Sequence, residues 1–215
     1  MKQLKTLGLA AIAALGLMAL AGAGTASATE LCSTNTSPCT GTVYTSGTAV
    51  AAKLKALTVA TLTNPISNVI CQKSTTTGKT TSTGAKGSPV TGTVESLGFT
   101  ECKTASGVAC TVNTLNIPYK ASIAATTSGN GTLTVTSGGT GEPGVTVECG
   151  NLISCTFTTA SASLEVLGGN GAIAKANGIG LAPKATKEHL TCPLEAHWDA
   201  EYEVTAPKPL FIVNP

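Results

Sequence analysis

An all-β fold, a disulfide-stapled antiparallel sandwich or barrel-like domain, follows from three features of the sequence. Short runs alternate apolar and polar residues with a period of two, as half-buried strands do. Turn dipeptides punctuate them at Asn130-Gly131, Pro143-Gly144 and Asn170-Gly171. Eight cysteines (Cys32, Cys39, Cys71, Cys102, Cys110, Cys149, Cys155 and Cys192) form an even set, the mark of a disulfide framework in an exported chain.

The chain opens with Lys2 and Lys5, an apolar run from Leu7 to Leu20, and a small-residue site at Ala26-Ser27-Ala28. This is the pattern of a secretory signal peptide over 1–28. The run falls short of the ~20 residues that a helix needs to cross a bilayer, so cleavage is expected rather than anchoring. Residues 29–215, 187 of the 215, are then expected to form a single secreted β-rich domain with no membrane span.

Within it, strands are expected over 47–57, 67–72, 90–99, 119–125, 131–137, 162–168, 172–178, 197–206 and 209–213. Roughly ten short strands at this spacing suit a sandwich or barrel. By composition, 49–57 and 172–177 could also form short helices. The low-complexity stretch 74–89, "STTTGKTTSTGAKGSP", reads as an exposed Thr/Gly-rich loop, with a linker or an O-glycan acceptor as the other readings.

Charge narrows the partners. Without Lys2 and Lys5, 11 of the 13 basic residues remain against 11 acids, and none is arginine. A neutral chain lacking the usual bidentate reader of phosphate is not expected to bind nucleic acid. The expected partner is an unknown extracellular or cell-envelope one, and no cofactor is expected.

A repeated phrase carries four of the eight cysteines: "ECKTASGVACTVNT" at 101–114 and "ECGNLISCTFTT" at 148–159. Each reads as a stapled hairpin. Chain proximity favours Cys32–Cys39, Cys102–Cys110 and Cys149–Cys155, leaving Cys71–Cys192 by elimination. Pairing Cys149 with Cys155 sets Val147 opposite Phe157 on an apolar face and Glu148 opposite Thr156 on a polar one. In the first copy Leu97 and Phe99 fall on the face opposite Cys102, which a β-bulge would correct. The cysteine intervals do not match the C-x2-4-C spacing common in zinc sites, so metal binding by these thiols is not expected.

The candidate chemistry centres on "HWDAEYEV" (197–204). In a strand, Trp198, Ala200, Tyr202 and Val204 face the core, while His197, Asp199, Glu201 and Glu203 form a row on the other face. Such a row needs compensation, from lysines such as Lys184, Lys187 or Lys208, or from a divalent cation. A general acid/base pair is the third reading. His189 and His197 flank Cys192 without a recognisable zinc spacing. "GNGAIA" (169–174) matches a dinucleotide fingerprint, which needs a following helix; a tight hairpin turn is the simpler reading. No aromatic platform for sugars is visible. Two N-glycosylation patterns, at Asn35 and Asn130, are not expected to be used behind a bacterial-looking leader.

The segments "ATELC", "SPC", "VTGTVESLGFTEC", "VECGNLISCTF" and "CPLEAHWDAEYEVTAPKPLFIV" resemble uncharacterised secreted proteins of soil actinobacteria. That resemblance implies export and disulfides, and it carries no activity. The expected function is a non-catalytic extracellular or envelope role in binding, surface coating or adhesion. The alternatives are a hydrolase using the 197–203 row and a secreted inhibitor or toxin presenting loops 103–109 or 150–154.

Overall fold

The computed structural model describes residues 28–84, 87–150, 153–184 and 192–215. The signal peptide expected over 1–28 lies outside them except for Ala28. Every regular element among them is a strand, including both segments whose composition also allowed a helix.

Strand β1 (Glu30–Cys32) is followed by β2 (Ala49–Leu54) and β3 (Ala60–Thr63), which lie end to end beside the long β4 (Val69–Thr80). Strand β4 pairs with β5 (Val90–Thr104) along its length. Next to β5, β6 (Ala109–Leu115) and β7 (Tyr119–Thr127) run end to end. The chain returns through β8 (Asn130–Thr136) and β9 (Gly144–Cys149). It rises again through β10 (Ile153–Thr158) and β11 (Ser161–Leu167). Two long strands complete the wall, β12 (Ile173–Pro183) and β13 (Ala196–Ala206). Strand β13 pairs back onto β2 and β3, so the sheet closes.

All pairings are antiparallel, and each wall position neighbours the next in sequence. The result is an up-and-down barrel with eight positions around its circumference. Strands β4, β5, β12 and β13 each fill a position alone, and two strands in line fill each of the other four. Closure leaves no edge in the wall, which is how a barrel avoids edge-to-edge pairing. Between the sandwich and the barrel that the sequence allowed, closure selects the barrel.

One end is covered by a ribbon. Strand β14 (Phe211–Val213) pairs with β1, and its neighbourhood bridges to the wall turns through Gly129–Ile212 and Gly169–Leu210. The Ala125 N–H donates to Thr29 Oγ1 at 2.9 Å. Leu31 and Ile212 of the ribbon, with Leu210 beside it, are buried.

The other end carries a row of cysteines. Cys71, Cys102, Cys110 and Cys149 stand in register on four adjacent positions, β4, β5, β6 and β9. They bond as Cys71–Cys102 and Cys110–Cys149, while Cys155–Cys192 ties β10 to the β12–β13 connection. The local Cys32–Cys39 bond forms as expected. The expected Cys102–Cys110, Cys149–Cys155 and Cys71–Cys192 bonds do not. Cys102 does oppose Cys110, but each also has a cysteine on its other flank, brought there by pairing distant in sequence. The β9–β10 hairpin is two residues tighter than expected, with Cys155 opposite Val147 and Cys149 opposite Ile153. A two-residue shift keeps every side chain on its face, so Val147, Cys149, Cys155 and Phe157 are still buried together.

Two further expectations are corrected. Residues 74–80 are no loop: they form the second half of β4, because alternating threonines suit a pleated wall. Its side chains reinforce the pairing, with Ser74 Oγ donating to the Gly98 carbonyl and Thr76 Oγ1 to the Ser96 carbonyl, both at 2.8 Å. The bulge expected before Cys102 is also absent, since β4 and β5 pair one-to-one from Val69–Thr104 to Thr77–Ser96. Instead both strands change facing together: Phe99 and Cys102 both point inward, as do Ser74 and Cys71 opposite them. Glu101 makes the change at φ 55°, with its carboxylate paired to Lys73 outside. The real irregularity lies between Thr77 and Gly78. A β-carbon on Gly78 would sit 2.0 Å from the Thr93 carbonyl oxygen, so only glycine fits there.

Candidate functional site

Alternation along β13 sorts the loaded stretch as expected. Ala200, Tyr202 and Val204 are buried, Trp198 lies among the core-packing residues, and His197, Asp199, Glu201 and Glu203 are on the less buried face. That face is a charge ladder. Glu201 takes Lys55 at 2.9 Å on one oxygen and Lys175 at 3.0 Å on the other. Glu203 pairs with Lys208 at 2.7 Å, and Asp199 Oδ1 accepts the Gly178 N–H at 2.7 Å. Of the lysines expected, Lys208 takes part and Lys184 forms no ion pair with the row among the described residues; Lys175 arrives on β12 and Lys55 just after β2, and Lys187 and His189 lie outside the described residues. Cys192, between the two histidines, is spent in a disulfide. No group of three metal-ligating side chains occurs among the described residues.

Hydrogen bonds from Lys55 and Lys175 hold the Glu201 carboxyl below its ordinary value of 4.5, and Lys208 does the same for Glu203. A carboxyl lowered in the folded state stabilises above the unfolded value, and that contribution is lost as pH falls through the folded one. The expected result is a small drop in urea midpoint between pH 6 and pH 3, since the row is largely solvated. Glu201→Gln should shrink that drop; an unchanged drop would show that Glu201 does not contribute to it.

The "GNGAIA" segment forms the turn from β11 into β12. A strand follows where a dinucleotide site needs a helix, so there is no helix N-terminus to meet a pyrophosphate.

The cavity lies inside the barrel and was not anticipated from sequence. One inward belt runs in register through Val90, Ile123, Leu133 and Leu164. Another runs through Ala125, Gly131, Val166, Ala174, Tyr202 and Leu54. An eight-stranded barrel is just wide enough either to be filled by its side chains or to hold one small ligand. Here Ala121, Ala162 and Ala174 occupy lining positions where larger residues would close the space, and a cavity of about 250 Å³ remains. Leu97, Ile123, Leu133 and Trp198 line it and are only partly buried. The signal that could have revealed it was compositional: only 3% of residues are aromatic, and alanines alternate on the inner face.

Polar groups around the interior are few. Tyr202 Oη and Ser74 Oγ meet at 2.8 Å, and burial pushes the Tyr202 phenol up to about 12. Tyr119 donates to the Leu115 carbonyl, and burial raises its phenol too. Trp198 stands edge-on to Phe99, with ring centroids 6.5 Å apart, and to Tyr202 at 6.1 Å. Among the described residues, two buried side-chain polar atoms have no hydrogen-bond partner: Trp198 Nε1 and Thr93 Oγ1.

Fold and interior together define a cystine-braced antiparallel barrel that encloses an apolar chamber. No protein-family model, curated protein or solved structure matches the chain.

Proposed function

We propose that this is an exported, non-catalytic extracellular or cell-envelope binding protein whose barrel holds a small apolar molecule. The 250 Å³ apolar cavity carries this reading. Four disulfides fit an oxidising compartment, in keeping with the leader and with the resemblance to secreted actinobacterial proteins. The wall turns its apolar face inward and its threonines, lysines and glutamates outward, the reverse of a barrel facing lipid. That outward face favours a water-bathed protein. The outward carboxylates of Glu201 and Glu203 are engaged by ammonium groups, which favours a structural role for that row over acid/base chemistry.

The test is titration of the oxidised protein with naphthalene, an apolar probe of suitable size, followed through methyl NMR shifts of Leu133, Val135 and Ile123. Saturable one-site binding is expected. Ala162→Phe, which places a ring at a buried lining position, should weaken it by about tenfold or more by steric exclusion. No saturable shift in the wild-type protein would overturn the reading.

A further inference from the structure

We propose that the row of cysteines at the end of the barrel away from the ribbon is a site of thiol–disulfide exchange. Its reagent is a small extracellular thiol, which opens Cys110–Cys149, and the opening then passes along the row to Cys71.

Cys71, Cys102, Cys110 and Cys149 occupy consecutive wall positions, each directly opposite the next. Directly opposed residues of an antiparallel sheet share a face, so the sulfurs of the row lie on one side of the wall. The bonds Cys71–Cys102 and Cys110–Cys149 leave the middle pair unlinked. That pair is within bonding span. The Thr104 N–H donates to the Val108 carbonyl at 2.8 Å, which makes Cys102–Cys110, two residues further on, a hydrogen-bonded pair with Cα atoms about 5.5 Å apart. Disulfides span roughly 4.4–6.8 Å between Cα atoms. Strand β6 lies on the side of β5 away from β4, so Cys110 meets Cys102 from the side opposite its present partner Cys71.

Accessibility decides where exchange begins. Cys71, Cys102 and Cys149 are buried, whereas Cys110 is only partly so. A small thiolate therefore meets the row at Cys110. The row also has fixed ends. Beyond Cys71 the next wall residue is Ala60, and beyond Cys149 it is Ile153, with Cys155 opposite Val147 instead. Cys32–Cys39 and Cys155–Cys192 stand outside it.

The steps balance. A thiolate attacks Cys110 Sγ, forming a mixed disulfide and expelling Cys149 as a thiolate, which takes up a proton. A second thiolate releases Cys110, so the small thiol is oxidised to its disulfide while one protein disulfide is reduced. The Cys110 thiolate then attacks Cys102 Sγ. The Cys102–Cys110 bond forms, the Cys71–Cys102 bond breaks, and the electron pair leaves on Cys71 Sγ, which is protonated. The brace has then moved from β4–β5 and β6–β9 to β5–β6, a seam whose ladder consists of the Cys102–Cys110 and Lys103–Ala109 pairs.

The experiment treats the folded, oxidised protein with limiting glutathione, caps free thiols with N-ethylmaleimide over time, and maps the molecules that carry two caps. Caps on Cys110 and Cys149 are expected first. Caps on Cys71 and Cys149 should accumulate behind them, together with a peptide cross-linked through Cys102–Cys110. In Cys110→Ser/Cys149→Ser the thiol must reach the buried Cys71–Cys102 bond directly, so capping of Cys71 should slow by about tenfold or more. Wild-type molecules capped at Cys110 and Cys149 alone at every time, with no Cys102–Cys110 peptide, would overturn the relay. So would cross-links from the row to Cys32, Cys39, Cys155 or Cys192, which mark scrambling of unfolded chains. Equal capping rates in a variant with native circular dichroism would overturn it as well, and the wild-type map stands whether or not that variant folds.

Discussion

Reducing all four disulfides is expected to unfold this protein at 25 °C. Three of the bonds close loops with sequence separations of 31, 39 and 37 residues. Each restricts the unfolded chain by about 4 kcal/mol on the chain-entropy estimate. The Cys32–Cys39 bond, with a separation of 7, contributes about 2 kcal/mol. Their sum, roughly 14 kcal/mol, reaches the top of the ~5–15 kcal/mol that holds a typical domain folded. This barrel has little to set against that loss, because its interior is partly empty. Circular dichroism melts with and without reductant, the thiols blocked after reduction, measure the effect. A cooperative melt surviving full reduction would contradict it. The bonds should also differ: the Cys110→Ser/Cys149→Ser pair should lower the urea midpoint more than Cys32→Ser/Cys39→Ser does.

Phe157→Ala is expected to cost about 3–5 kcal/mol. Phe157 is 2% exposed and lies opposite Val145, with Pro183 on its other flank. It belongs to the filled end of the interior, beside Val147, Cys149 and Cys155. Neighbours pinned by two disulfides cannot collapse into the space a lost ring leaves, which puts the cost in the cavity-forming range. Leu133→Ala makes the contrast. Leu133 already borders the chamber and is only partly buried, so it loses fewer contacts and should cost clearly less, about 1–2 kcal/mol. Urea denaturation of the two variants decides the matter; equal losses would mean that the chamber is packed in solution.

Much of the wall was legible in the amino-acid order because facing is a local property. The alternation in 197–206 placed Ala200, Tyr202 and Val204 inside and the acidic row opposite them. Parity alone explains why the β9–β10 hairpin has the right face even though its register is two residues off. The threonine run at 74–80 misled because its composition matches that of exposed loops, while its strand character depends on β5 lying alongside. The facing change at Glu101 was visible as a break in alternation, but whether one strand or both absorbed it depended on what Gln72 and Lys73 did opposite.

Period-two patterning and an even set of cysteines by themselves determined an all-β, disulfide-linked chain. Pairing of the cysteines required the tertiary structure, because a residue such as Cys102 has in-register neighbours on two sides, and which bond forms depends on both adjacent strands. The chamber required it too. Each alanine on the inner face is unremarkable locally, and only when eight positions close into a ring do their missing volumes add up to a space that a ligand can fill.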